Sequence, residues 1–105
     1  MNLRLPRPCV VIPCDPREPM QVVLDQPSDR LARQKLLGGL LEHVAIHPTK
    51  RRELAEELGV NLLGAQLWCR DCGRLEGLPL NPRATKLTKH ELVGGIVGPV
   101  LVCKL

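Results

Sequence analysis

Asn81, Arg83 and Thr85 follow a proline-stiffened stretch, Gly77-Leu78-Pro79-Leu80-Asn81-Pro82. An amide, a guanidinium and a hydroxyl at this spacing suit an anion. Asn81 would supply amide contacts and Arg83 a charge-assisted bond to a phosphate or carboxylate, while the backbone amides at Arg83 to Thr85 open a helix. Thr85 would add its hydroxyl. These three are the candidate ligand-binding residues, and a nucleotide-like ligand is the chemistry they imply. The competing reading is structural: Asn81 caps the next turn with its side-chain oxygen.

The chain holds five cysteines: Cys9, Cys14, Cys69, Cys72 and Cys103. Cys69-Arg70-Asp71-Cys72 has the spacing of a zinc knuckle or a redox pair, but supplies only half of a tetrahedral zinc shell. Cys9 and Cys14 would complete the set if two strands brought them close, so these four are the candidate zinc ligands. A redox pair of the thioredoxin type should open a helix, whereas Gly73 follows here and the flanks read as strand. Cys103 lies in the apolar run Val100-Leu101-Val102-Cys103 and reads as a buried thiol. An odd cysteine count with no secretory signal at the start points to a reducing cytoplasm.

His43, His47 and His90 are dispersed, and the lone serine, Ser28, reads as a helix cap. Neither a Walker loop, nor GxGxxG, nor HExxH occurs. No catalytic constellation is evident, and the expected activity is binding. Fifteen Lys plus Arg against eleven Asp plus Glu give a net charge of +4, which permits anionic partners without demanding them. The basic residues are scattered, and Lys50-Arg51-Arg52 is followed at once by Glu53, Glu56 and Glu57, the pattern of a solvated helix face. One Trp and no Tyr or Phe leave few stacking platforms for bases. No apolar run approaches the ~18 residues of a membrane helix.

These residues need a scaffold, and 105 residues suffice for a single domain, 1–105. Residues 1–9 read as a loose N-terminal segment. Val10 to Ile12 is a short strand, and Met20 to Leu24 a second one paired with it. Ser28 or Asp29 starts a helix that ends at Gly38-Gly39. Leu40 to Ile46 is a strand, and Thr49 caps a helix over Lys50 to Leu58 closed by Gly59. The region 47–64 has the character of a helical insertion. Its likeness to half of a helix-turn-helix lacks a second helix. Gln66 to Cys69 is extended and turns through Asp71-Cys72-Gly73 into Arg74-Leu75. A helical turn over Arg83 to Leu87, a capping box at Thr88 to Glu91 and a strand over Ile96 to Cys103, bent at Gly98-Pro99, complete the order. The fold class is α+β: a small, mostly antiparallel sheet with two helices and a short helical turn packed on one face.

Three blocks carry a family resemblance: Gly38-Gly39 before Leu40-Leu41-Glu42; Gly77-Leu78-Pro79-Leu80-Asn81-Pro82-Arg83-Ala84-Thr85; and Ile96-Val97-Gly98. In this order, from about Val10 to Val102, the chain resembles the small phage and actinobacterial domain-of-unknown-function family numbered 3846. In that family Gly-Gly precedes a strand often reading Tyr-Ile-Glu, and Gly-Leu-Pro-x-Asn leads to Arg-Ala-Thr. Here Leu40 replaces the aromatic residue, Cys69 to Cys72 stand where Asn and Glu are usual, and His47 to Gly64 is longer. The resemblance implies an α+β domain, often phage-encoded, with no assigned activity.

The reading these features support is a non-enzymatic binding module, a small cytoplasmic accessory protein of phage or mobile-element type. It would act on a host or phage macromolecule, with a protein as the favoured partner and no membrane. An exposed sheet edge or Leu-rich patch would favour a homo-oligomer. The alternatives are a zinc-stabilised nucleic-acid-binding domain and capture of a nucleotide-like ligand at the Asn81/Arg83 loop.

Overall fold

The computed structural model describes residues 8–23, 37, 41–70, 75–88 and 94–104. Among them run, in chain order, β1 (Cys9–Ile12), β2 (Gln21–Val23), β3 (Leu41–Val44), α1 (Pro48–Leu58), β4 (Gln66–Arg70), α2 (Pro82–Leu87) and β5 (Val100–Cys103). The strands form one five-stranded sheet in the order β2-β1-β5-β4-β3, and every pairing is antiparallel. The α+β class and the β1–β2 hairpin match the expectation from sequence.

The last strand lies at the centre. β5 pairs with β1 on one side and β4 on the other, and all its residues are buried. Its unbroken apolar run explains this position, because a strand covered on both faces has no use for polar alternation. The registers assign each side chain to a face. Val10, Ile12, Leu67, Cys69, Val100 and Val102 share one face with Leu54 of α1 and with Ala84 and Leu87 of α2. Cys9, Leu101 and Cys103 occupy the other face, flanked by Val11, Val23, Leu41 and Trp68. Both described helices therefore pack on one face, whereas Leu37 is buried against the opposite one.

Several local expectations shift. The segment 1–9 is not loose as far as Cys9, which opens β1 and is 0% exposed. α1 begins at Pro48, and its cap is His47, whose Nδ1 accepts from the Thr49 amide at 3.3 Å. Proline suits the first helical position because its missing N–H would have no partner there, which moves the cap from Thr49 to His47. Gly59 ends the helix at φ 67°, and its amide bonds back to the Glu56 carbonyl. Leu75 lies in a turn, and among the described residues β4 pairs with β3 and β5. The expected helix from Ser28 to Gly38 lies outside the described residues apart from Leu37. So do Asp71 to Arg74 of the expected turn and its flank, and Lys89 to Glu91 of the expected capping box.

Candidate functional site

The Asn81 side chain is built into the interior. Asn81 is 0% exposed and caps α2, its Oδ1 accepting from the Ala84 amide at 3.1 Å. Its Nδ2 donates to the carbonyls of Ile12 and Gly98, each at 3.0 Å. One side chain thus joins the end of β1, the start of α2 and the bend before β5. A buried carbonyl without a donor is costly, so both N–H groups of the amide are needed where they are.

Thr85 continues the same network. Its Oγ1 donates to the Asn81 carbonyl at 2.8 Å and accepts from the Ile96 amide at 2.9 Å. Asn81 N in turn donates to the Ile96 carbonyl at 2.8 Å, and Gly98 N to the Pro79 carbonyl at 2.8 Å. Leu80 and Val97 form an isolated antiparallel bridge. Loop 75–80 is therefore laced to the segment that precedes β5.

Arg83 is half-buried, and its Nη2 donates to the carbonyls of Pro13 and Asp15 at 3.0 and 2.9 Å. It holds the proline-rich connection after β1 against α2, while its buried Nε meets no acceptor. Beside it opens a pocket of about 220 Å³ floored by Ile12, Met20, Leu54 and Leu87, with Lys50, Glu53, Glu57 and Lys86 also lining it. Lys50 pairs with Glu53 at 3.9 Å within this lining. An apolar floor under mixed charges accommodates a short aliphatic group better than a polyanion. Motif spacing could not have found this pocket, since its lining comes from β1, the approach to β2, and both helices.

The structure does bring Asn81, Arg83 and Thr85 together, but Asn81 and Thr85 are turned inward and bonded within the chain. Arg83 spends Nη2 on two backbone carbonyls. These bonds tie the fold, and the signal for them is present in sequence as the capping position of Asn81 ahead of Pro82.

Among the four candidate zinc ligands, the three described ones are set apart. Cys9 and Cys69 belong to opposite faces of the sheet. Cys69 contacts Glu42 Oε1 at 3.7 Å across the β3–β4 pair. Cys14 is half-buried beyond Pro13, where burial pushes its thiol above the ordinary value of 9.0. Cys72 lies outside the described residues. Among the described residues no group of three or more His, Cys, Asp or Glu side chains is placed to hold an ion.

The histidines are likewise separate. His43 is exposed on β3 with its ring 5.3 Å from that of Trp68, His47 caps α1, and His90 lies outside the described residues. Trp68 donates from Nε1 to the Cys103 carbonyl at 3.4 Å, which ties β4 to the central strand.

Neither spacing nor composition marks the aliphatic residues that the fold leaves exposed. Leu75 is 89% and Leu80 50% exposed, both on loop 75–80, and Leu63 is 75% exposed. Glu76 of the same loop forms an ion pair with Arg70 at the end of β4. Among the described residues no helix is long and apolar enough to cross a membrane. Comparison of the chain with protein-family models, with curated proteins and with solved structures finds no match.

Proposed function

We propose that this chain is a non-enzymatic interaction module that engages a protein partner through loop 75–80. The observation that carries this reading is the pairing of exposure with rigidity: Leu75 and Leu80 face solvent on a loop held at Glu76, Pro79, Leu80 and Asn81. Exposed aliphatic side chains on a mobile loop would lose conformational freedom on docking. On a pinned loop that cost is already met by folding, so more of the burial energy reaches the complex. The phage or mobile-element accessory role implied by the family resemblance fits a domain that works by presenting a surface. Its site of action is the cytoplasm on this reading, in keeping with an odd cysteine count.

The test is affinity capture from bacterial lysate with the wild-type chain and with Leu75→Asp, followed by measurement of the captured partner's affinity. Because Leu75 is almost fully exposed, Leu75→Asp should melt with the wild type and bind the partner at least about tenfold more weakly, the loss of one buried leucine contact. Equal affinity in both proteins, or turnover of a small substrate by the purified chain, would refute the proposal.

A further inference from the structure

We propose that Cys9 and Cys103 are a thiol oxidation site, able to form a disulfide that fastens the first strand to the last. The β1–β5 ladder pairs Val10 with Val102, Val11 with Leu101 and Ile12 with Val100. One further step of the same register sets Cys9 opposite Cys103. Both side chains lie on one face of the sheet, in the same apolar cluster, and both are 0% exposed. Directly opposed residues of an antiparallel pair have Cα atoms about 4.5–5.5 Å apart. That interval lies inside the roughly 4.4–6.8 Å that a disulfide spans. Both cysteines carry thiols in this structure.

The other described cysteines are set apart from this pair. Cys69 belongs to the opposite face, and Cys14 lies past the end of β1 beyond Pro13. The oxidant is a small-molecule disulfide such as oxidised glutathione. With the β1–β5 pair open, one cysteine thiolate attacks it, forming a mixed disulfide and releasing one glutathione. The second thiolate then displaces the second glutathione as the Cys9–Cys103 bond forms. The two cysteines give up two protons and two electrons, and the glutathione disulfide becomes two glutathione thiols. Burial keeps the reagent out of the closed sheet, so oxidation reports opening of the central strand. Reclosure around the bond then joins positions near the two ends of the described chain, restricting the unfolded state strongly.

The experiment is refolding from urea in a buffer of oxidised and reduced glutathione, followed by peptide mapping without reduction. Cys9 and Cys14 fall on one tryptic peptide, so the wild type is compared with Cys14→Ser, Cys9→Ser and Cys103→Ser. The expected product links the Cys9 and Cys103 peptides in the wild type and in Cys14→Ser, and is absent from the other two variants. The oxidised wild type should melt at a higher temperature than the reduced protein, and dithiothreitol should reverse the shift. The comparison of oxidised with reduced wild type stands even if a serine at a buried position prevents folding. A bond that persists in Cys9→Ser, a link to Cys69 or Cys72, refolding with both thiols unlinked, or a melting temperature that does not rise would each overturn the proposal.

Discussion

The Asn81 side chain donates to the carbonyl of Ile12 at 3.0 Å across a separation of 69 residues. The same amide nitrogen also reaches Gly98, while the amide oxygen caps α2. The stability of three segments therefore converges on one neutral side chain, and its removal should expose their mutual dependence.

Asn81→Ala should lower unfolding free energy by about 3–7 kcal/mol: roughly 1 for the lost cap and 1–3 for each of the two buried carbonyls left without a donor. Asn81→Asp keeps the cap acceptor but sets a carboxylate against two carbonyls. It should be at least as destabilising at neutral pH and partly recover in acid, where the protonated form donates again. Urea unfolding at neutral and acid pH checks both, and a loss below about 1 kcal/mol for Asn81→Ala would contradict the network's importance.

Arg83→Met tests the strap between α2 and the connection after β1. The variant forfeits the bonds to Pro13 and Asp15 but also removes a buried Nε that has no acceptor. The net cost should fall at about 1–3 kcal/mol, below the sum of two charge-assisted bonds. Inorganic phosphate should leave both melting curves unchanged. A rise confined to the wild type would restore Arg83 as an anion ligand.

Gly95→Ala should be costly for two reasons. Gly95 has φ +84°, and an added Cβ would lie 2.6 Å from Leu80 Cδ1 and 2.9 Å from Thr85 Oγ1. Strain and displacement of the Thr85 bond to Ile96 together should cost about 2–4 kcal/mol, readable by thermal or urea unfolding. A variant as stable as the wild type would mean that loop 75–80 yields freely, which would also weaken its role as a pinned docking surface.

Cys14 should leave a signature at alkaline pH. Burial raises its thiol above 9.0, so the folded chain holds this proton more tightly than the unfolded one. The resulting stabilisation is complete below the unfolded thiol's value and is lost as pH climbs through the folded value. The stability difference between wild type and Cys14→Ser should therefore fall as pH rises from about 8 to 11. A difference that stays flat or grows would contradict the sign.

Local chemistry is legible in the sequence. Gly59 stops α1, Asn81 ahead of Pro82 starts α2, and the β-branched runs at Val10 to Ile12 and Met20 to Leu24 mark paired strands, because each signal acts through neighbouring backbone. The cap of α1 lies two positions before the expected Thr49, since both His47 and Thr49 can accept and only the place of Pro48 at the helix start decides between them.

By itself the sequence determined the α+β class, the aliphatic core and the residues able to cap, turn and pair. Tertiary structure alone decided that β5 sits between β1 and β4, that Cys9 and Cys69 face opposite ways while Cys9 shares a face with Cys103, and that the Asn81 amide bonds Ile12 and Gly98. The physical reason is that caps and periodicity are satisfied within a few residues, whereas strand order and the partners of a buried amide depend on segments far apart in the chain. Those become neighbours only when the last strand enters the sheet.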